Sequence, residues 1–396
     1  MPYPPTDGGK QGSFNMLERL QHHMDMVLVF PVVRKSQLNN MAQLTKHLEK
    51  VRIYPFKYYN NKGSWKSQYF LFRLHRMITK KILKQPFLAT PVYQEEYIKF
   101  VLDVIKKEKI DCVQNEYVEQ LYLTYSLPAN LKCIFVEHEI QYINKLRNIQ
   151  GRVSVTEEVK YLACKAKQDE IQALNQYDAI ITMTETDKQI LAKDGVKKPI
   201  YPSPSFIPLP PASSFVPATN NKLTFIGGAG HYPNLNGMTW FLEEVWPLLL
   251  AKCPAMELNI IGNWNDGTRK KVTDNYKGVT CLGFVPNLHE AISGSIMVIP
   301  ILIGSGIRMK ILEAVNYYVP FVATSVGAEG LDFQSGTDCF IADNPDEMAT
   351  CILKLNGSTN LQARFAESAH KILVEKYSPE ASSLRRLRIY QTIKNS

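Results

Sequence analysis

The sequence lacks the features that would assign it at once to a secreted, zinc-binding or membrane-spanning class. Its seven cysteines are scattered singly, with no Cys-x-x-Cys pair, so neither a disulfide framework nor a zinc site is indicated. No apolar run approaches the roughly 18 residues of a membrane-spanning helix. The first residues, MPYPPTDGG, lack the charged and apolar regions of a signal peptide. We therefore expect a cytoplasmic protein with free thiols.

What the sequence does have is length and an uneven charge. A chain of 396 residues, with 45% hydrophobic and 21% charged residues, is expected to form two globular domains. The formal net charge is +9, yet residues 1–110 hold 19 Lys and Arg against 8 Asp and Glu, a net charge of +11. The excess positive charge lies in the first part of the chain, which bears on binding partners and not on fold.

Apolar runs typical of buried parallel strands alternate with helical stretches along the whole chain. Helices are predicted at 12–23, 40–50, 66–84, 93–108, 155–175, 186–193, 236–252, 287–293, 308–317, 345–376 and 379–393. A segment rich in proline and serine interrupts the alternation and is typical of a linker. The pattern predicts an α/β protein with Rossmann-like domains at 1–203 and 222–376, a linker at 204–221 and a last helix within 377–396.

The most informative segment is a glycine loop that follows a strand-like run and opens a helix. Its functional candidates are Gly304, Ser305, Gly306, Arg308, Lys310 and Glu313. Such a loop presents free backbone N–H groups and the positive end of a helix dipole, which suits phosphate. Two cations lie beside it, and the carboxylate of Glu313 can accept hydrogen bonds from ribose hydroxyls. The alternative for the glycines alone is an ordinary tight turn with solvated charges nearby.

The complete string, with the strand Pro320-Phe-Val-Ala-Thr and its Gly-x-x-Gly loop, closely resembles the donor-binding signature of glycosyltransferase family 4. The resemblance is strongest over 222–376. It implies the GT-B fold, with two Rossmann-like domains facing each other across a cleft and a C-terminal helix crossing back to the first domain. Lys310 matches the lysine that contacts phosphate, and Glu313 the glutamate that holds ribose.

Further matches lie after the first and third strands of the second domain. Gly227 and Gly228 follow its first strand, and the segment Gly283-Phe284-Val285 resembles the one whose backbone lies along the nucleotide base. Two departures concern the same site. Ser305 stands where the family often has Glu, and the first loop offers only His231 where a basic residue is common. We expect Arg308 to supply the missing charge.

In the first domain, Gly8 and Gly9 resemble the glycine loop that follows the family's first strand, near the acceptor and the donor phosphates. Because they stand at the very start, that strand is expected to be absent from this chain, through a start codon placed too late or a genuine truncation. His138 follows a predicted strand and matches the histidine that contacts the donor sugar, and we expect the flanking carboxylates of Glu137 and Glu139 to fix its tautomer. The alternative is a satisfied surface histidine.

The helix predicted at 66–84 carries basic residues on one face and apolar residues on an adjoining face. A helix of this kind can lie on an anionic membrane surface. The alternative is a solvated basic face whose apolar stripe packs on its own sheet. No recognised nucleic-acid module is present, so nucleic acid is not an expected partner.

These observations predict a retaining glycosyltransferase that moves a sugar from a nucleoside-diphosphate sugar to an acceptor hydroxyl, in bacterial surface polysaccharide or glycoconjugate synthesis. Retention is implied by the resemblance alone. The acceptor is expected to be a glycan or a lipid-linked glycan, and contact with the inner face of the membrane stays open. No cofactor or metal is expected, and the sequence has no Asp-x-Asp dipeptide. The alternatives are a catalytically weakened nucleotide-sugar-binding protein of the same fold and a nucleotide-sugar epimerase.

Overall fold

A computed structural model describes residues 1–5, 8–59, 95–150, 157–209, 214–218, 221–304 and 306–395, together with the single positions 70, 74 and 77. The chain divides into two compact units. Unit 1 comprises Met1–Leu146, Ser154–Ser205 and Ser383–Ser396, and unit 2 comprises Phe206–Ser382 with Arg147–Val153. Both are α/β, as the alternation of apolar runs predicts. The finer domain bounds proposed from the sequence stay predictions.

The described residues of unit 1 form six parallel strands in two sheets. The strands are β1 (Met26–Val32), β2 (Val51–Lys57), β3 (Cys112–Glu116), β4 (Lys132–Glu137), β5 (Ala179–Thr182) and β6 (Ile200–Pro202). One sheet pairs β1 with β2, and the other has the order β3-β4-β5-β6. Every residue of β5 is buried, as expected for a parallel strand covered on both faces.

Helices accompany these strands. They are α1 (Gly8–Leu20), α2 (Met41–His47), α3 (Glu95–Glu108), α4 (Gln141–Gln150), α5 (Glu157–Leu174) and α6 (Glu185–Asp194). Two 3₁₀ helices are Lys35–Asn40 and Val118–Ser126. Before Met26, the described residues form α1 and no strand, as the resemblance led us to expect. Phe14 of α1 packs with Phe30 and Val32 of β1, so α1 belongs to the core of the two-stranded sheet.

Unit 2 is built on one six-stranded parallel sheet with the order β12-β11-β10-β7-β8-β9. The strands are β7 (Lys222–Ile226), β8 (Glu257–Ile261), β9 (Val279–Gly283), β10 (Ile296–Ile299), β11 (Phe321–Ala323) and β12 (Phe340–Ile341). The helices are α7 (Tyr232–Trp240), a π-helical turn (Phe241–Val245), α8 (Trp246–Lys252), α9 (Asp266–Asn275), α10 (Leu288–Ile292), α11 (Met309–Asn316), α12 (Ser325–Ala328), α13 (Pro345–Asn356) and α14 (Thr359–Tyr377). The last helix, α15, is Pro379–Asn395.

Two long predicted helices differ from the structure for local reasons. The helix predicted at 236–252 contains the π-helical turn just before Pro247, whose missing N–H cannot join the regular helical ladder. The helix predicted at 345–376 is two helices, because it ends at Gly357 and Ser358 caps the next helix by accepting from the Leu361 N–H. The sequence pattern missed α4 and α9 altogether.

Most of the helix predicted at 66–84 lies outside the described residues. Phe70, Leu74 and Met77 are described, are helical and are exposed by 53%, 38% and 48%. Across the part of the chain that the structure describes, no helix combines the length and the apolar character needed to cross a bilayer.

The chain order within the sheet of unit 2 determines where a ligand site is expected. The sheet starts in the middle at β7 and runs outward through β8 to β9, and the chain then crosses to β10 on the other side of β7. The loops after β7 and β10 therefore diverge at the carboxyl edge. In open α/β sheets, ligands bind at such a switch point.

Close packing of α7 on the end of β10 holds this edge together. A Cβ on Gly237 would lie 2.0 Å from the carbonyl oxygen of Pro300. Because that oxygen belongs to the backbone, the clash could be relieved only by moving the chain. We expect Gly237→Ala to lower the free energy of unfolding by roughly 1–3 kcal/mol, as overpacked sites do. Urea unfolding followed by tryptophan fluorescence measures it. Gly230→Ala is the control, since nothing lies within 4 Å of its Cβ position; equal stability of the two variants would contradict the packing.

Candidate functional site

The glycine loop lies at the carboxyl end of β10 and leads into α11. Gly304 and Gly306 have φ values of 136° and 76°, which residues with a Cβ rarely adopt. Ser305, between them, lies outside the described residues. Because the loop enters a helix, the first backbone N–H groups of that helix have no carbonyl four residues earlier within it, although the Ile311 N–H donates to the Arg308 carbonyl at 2.9 Å. This arrangement suits an anion.

Lys310 occupies the first turn of α11 and is half-buried. Its Nζ donates a hydrogen bond of 2.7 Å to Asn234 Oδ1 and lies 4.6 Å from the centre of the Phe225 ring. Burial, followed by the charge of Arg308, lowers the pKa of Lys310 to about 7, although the carboxylate of Glu313 opposes the shift. The ammonium group is therefore close to losing its proton at neutral pH, and an anion beside it would restore the charge.

Arg308 lies against the loop. Its Nη1 donates to the Gly306 carbonyl at 2.9 Å and its Nη2 to the Val326 carbonyl at 3.5 Å. A Cβ on Gly304 would lie only 2.8 Å from Nη2, so the guanidinium would have to shift to make room for one. The sequence predicted a phosphate contact for Arg308. The structure gives it loop carbonyls as partners, which places the charge beside the loop and also braces the loop's shape.

Glu313 lies one turn beyond Lys310 and is half-buried. Burial, and then the charge of Glu313, raises the pKa of Tyr317, whose ring stacks on His289 at 4.7 Å. The carboxylate thus acts on Lys310 and on Tyr317. An acidic acceptor with a cation one turn away has the charge arrangement expected for the ribose and diphosphate of a nucleotide.

The loop after β7 approaches the other loops through bare backbone. A Cβ on Gly227 would lie 2.7 Å from Asn234 Cγ, and one on Gly228 would lie 3.1 Å from the Asn263 carbonyl oxygen. Asn234 Nδ2 donates to the Gly228 carbonyl at 3.1 Å, while its Oδ1 accepts from Lys310. The side chain of Asn234 therefore hydrogen-bonds both to the first glycine loop and to Lys310.

The segment predicted to lie along a nucleotide base ends β9. Gly283 has a φ of 73°, and its carbonyl accepts from the Gly262 N–H at 2.8 Å. Phe284 is 87% exposed, whereas Val285 is half-buried. The ring of Phe284 is thus accessible at the same carboxyl edge as the glycine loops.

In unit 1, His138 follows β4 and meets the end of the neighbouring strand β3. Its Nε2 lies 3.2 Å from Glu116 Oε2, and its ring stacks on Tyr117 at 4.6 Å with an interplanar angle of 10°. Neither flanking carboxylate fills this role. Glu139 Oε1 instead accepts from Gln141 Nε2 at 3.1 Å. The expectation that Glu137 or Glu139 orients the imidazole is therefore wrong, because the parallel strand beside β4 delivers Glu116 to Nε2.

Glu137 has a different environment. It is 3% exposed and is surrounded by the carboxylates of Glu170, Asp187 and Glu139. Burial and these like charges raise its pKa well above the usual range. Glu170 accepts the N–H groups of Gln141 and Tyr142 at 3.0 Å each, so the cluster lies under the start of α4.

Gly8 and Gly9 lie at the beginning of α1, where Gly8 is exposed and Gly9 is half-buried. Residues 6–7 lie outside the described residues. The structure thus places both glycines at a helix N-terminus, and their predicted contact with an acceptor or with phosphate stays a prediction.

Residues 220–357 match the family model described as Glycosyl transferases group 1. This range contains the glycine loops, Lys310 and Glu313. The chain is also 25% identical over 397 residues to an "Uncharacterized 44.6 kDa protein in cps region" of Klebsiella pneumoniae, covering 95% of this chain and 94% of that protein. The domain match and the fold support a glycosyltransferase.

Two solved structures show the same fold. HepE of Anabaena, in complex with UDP, superposes with a TM-score of 0.67 at 11% identity, covering 96% of each chain. TarM of S. aureus superposes with a TM-score of 0.60 at 17% identity, covering 76% of this chain and 58% of TarM. The chain therefore spans little more than half of TarM. At these identities the likeness concerns fold, and the fold is GT-B.

Apart from Ser305, the structure brings the predicted residues of unit 2 to one edge of one sheet, from Gly227 and Gly228 to Lys310. Sequence reasoning gave no role to Asn234, which contacts both the first glycine loop and Lys310. It missed the residues around His138, namely Glu116, Ser13 and Tyr117. One signal was available for Glu116, because it ends a strand-like run just as Glu137 does. Parallel strands place such residues at the same edge.

Glu137 makes the stability of unit 1 depend on pH. Its folded-state pKa lies above the unfolded value of 4.5, so the stabilisation is complete below pH 4.5 and is lost as pH rises through the folded pKa. We expect Glu137→Gln to raise the unfolding midpoint at pH 7–8 and to change it little near pH 4.5. Thermal unfolding across this range tests the expectation. Glu139→Gln is the control. If the unfolding midpoint of Glu137→Gln varied with pH as that of the wild type does, the expectation would be contradicted.

Proposed function

We propose that this protein is a retaining glycosyltransferase of family 4 that transfers a sugar from a nucleoside-diphosphate sugar to an acceptor hydroxyl. The observation that carries the proposal is Lys310, a half-buried cation at the start of a helix that opens from a glycine loop at the switch point of the sheet. The family match over 220–357 supports the same reaction class.

The chemistry at the leaving group follows from the loop. As the bond to the anomeric carbon breaks, negative charge grows on the diphosphate. Backbone N–H groups near Gly304 and Gly306, and the ammonium of Lys310, are fixed in place before the reaction and stabilise that charge. Glu313 holds the ribose, and the backbone at Gly283–Val285 follows the base. Because these groups supply the positive charge, we propose that transfer needs no metal and no cofactor.

The relatives suggest which donor and acceptor to test first. HepE has been solved with UDP and with UDP-glucose, and a TarM variant with UDP and alpha-GlcNAc-glycerol. We therefore propose a UDP-sugar as donor and a glycan, free or lipid-linked, as acceptor. The related protein in the cps region of Klebsiella pneumoniae supports a place in bacterial surface polysaccharide or glycoconjugate synthesis. A cytoplasmic location fits such donors.

Binding of UDP should depend on pH through Lys310. Free Lys310 has a pKa of about 7 and a bound diphosphate raises it, so affinity falls by up to about tenfold per pH unit above pH 7. Lys310→Met should bind weakly and without this slope, whereas Lys310→Arg should bind without the slope because arginine stays charged. Isothermal titration between pH 7 and 9 measures both effects.

Lys270→Met is the matched control, since Lys270 is an exposed lysine of α9 in the same unit, and it should bind as the wild type does. Product analysis with a panel of UDP-, GDP- and ADP-sugars then tests turnover, which is expected to persist in EDTA. Nucleotide binding without turnover would identify a binding protein of this fold. If none of these nucleotide sugars bound, the proposal would be contradicted.

We also propose that the segment around 66–84 contacts an anionic membrane surface. Phe70, Leu74 and Met77 are exposed and share one helical face by their spacing, and residues 1–110 carry a net charge of +11. An apolar face beside positive charge is typical of interfacial helices.

Vesicle sedimentation tests this proposal. The wild type should sediment with vesicles that contain anionic lipid and not with neutral ones, and the variant with serine at positions 70, 74 and 77 should lose the difference. Leu384→Ser is the control, since Leu384 is 50% exposed in the last helix. Equal sedimentation of the wild type with anionic and with neutral vesicles would contradict this proposal.

A further inference from the structure

Three hydrogen-bond donors converge on the carboxylate of Glu116 at the end of β3. Ser13 Oγ lies 2.6 Å and His138 Nε2 lies 3.2 Å from Glu116 Oε2, while Gln114 Nε2 donates to Oε1 at 2.7 Å. Behind them, the Tyr117 hydroxyl lies 2.7 Å from Ser13 Oγ, and the Tyr390 hydroxyl donates to Gln114 Oε1 at 2.6 Å.

The direction of every bond in this network follows from the charge on Glu116. An ionised carboxylate only accepts, so the single proton of Ser13 points to Glu116. Ser13 Oγ must then accept from Tyr117, which makes the tyrosine the donor. For the same reason, His138 Nε2 carries a proton.

The surroundings of Glu116 keep it ionised. Burial alone would raise its pKa, but the hydrogen bond and charge of His138, the hydrogen bond from Ser13 and the charge of Arg386 together lower it to about 2. Arg386 is buried in α15, and its Nε donates to Ser203 Oγ at 3.0 Å. The last helix therefore fixes both the charge beside Glu116 and, through Tyr390, its hydrogen-bonded neighbour Gln114.

Tyr117 completes the support of the imidazole. Its ring lies parallel to that of His138, and its φ of 67° is in the left-handed region that non-glycine residues rarely adopt. Such a backbone conformation costs about 1–3 kcal/mol and persists where surrounding contacts enforce it. Here the contacts are the ring stack and the hydrogen bond to Ser13.

We infer that Glu116 is a positioning residue that holds the neutral imidazole of His138 as the Nε2–H tautomer, so that Nδ1 offers its lone pair to a ligand hydroxyl. Among the described residues, no hydrogen bond to His138 Nδ1 is formed. That the ligand is a sugar rests on the proposed function, whereas the tautomer does not. The ligand hydroxyl then donates a hydrogen bond to His138 Nδ1, and a ligand with a fluorine or a hydrogen in place of that hydroxyl loses the contact.

Nitrogen NMR of the full-length protein labelled in histidine tests the tautomer without any substrate, with His138→Gln used to assign the signal. At alkaline pH, the wild type should show Nε2 as protonated and Nδ1 as an unprotonated acceptor. In Glu116→Ala, the two shifts should move toward the averaged values of a free imidazole. Glu116→Gln, which keeps the shape and removes the charge, should weaken the preference for a protonated Nε2.

A proton on Nδ1 in the wild type, or unchanged His138 nitrogen shifts in Glu116→Ala, would overturn the inference. Glu139→Gln is the matched control, because that carboxylate bonds Gln141 and should leave the His138 signal unchanged. Once a donor is known, Glu116→Gln should lower kcat/KM by about tenfold or more and add no further loss in a His138→Ala background. Absence of turnover with every donor would count against the proposed function and would leave the NMR result decisive for the tautomer.

Discussion

Close approach of bare backbone at the carboxyl edge of the six-stranded sheet is the constraint on which the site of unit 2 depends. Parallel strands end at the same edge of the sheet, so the loops that follow them lie close together. Gly227 and Gly262 let two loops meet within distances that any Cβ would violate, and Gly237 lets α7 reach the end of β10. The side chains that remain there, Asn234 and Lys310, then meet at 2.7 Å. The half-burial of Lys310 that shifts its pKa is a consequence of this packing.

Two glutamates at the ends of neighbouring strands show how environment assigns roles in unit 1. Glu116 meets three donors and the charge of Arg386, so its pKa falls. Glu137, at the end of the adjacent strand, is buried among other carboxylates, so its pKa rises. The first carboxylate accepts from the imidazole of His138, whereas burial and like charges disfavour the ionised form of the second.

Several elements were predictable because their causes are local. The strands of unit 2 are short, mainly apolar runs, and Gly304 and Gly306 mark the loop because its positive φ values favour glycine. The break after Asn356 was missed, although Gly357 and the capping Ser358 are visible in the sequence. The network around Glu116 could not be predicted in the same way. It joins residues near positions 13, 116, 138 and 390, which only the pairing of β3 with β4 and the packing of α1 and α15 bring together.

The sequence by itself determined the class of the fold, the glycine loops and the identity of the charged groups beside them, since each depends on residue type and short-range spacing. Only the tertiary structure decided what those groups do. It gave Lys310 a pKa near 7 by burying it beside Arg308, turned Arg308 toward the loop carbonyls and replaced the expected Glu137 and Glu139 by Glu116 as the partner of His138. The physical reason is that burial and hydrogen-bond direction are set by neighbours distant in the chain, and these forces decide protonation.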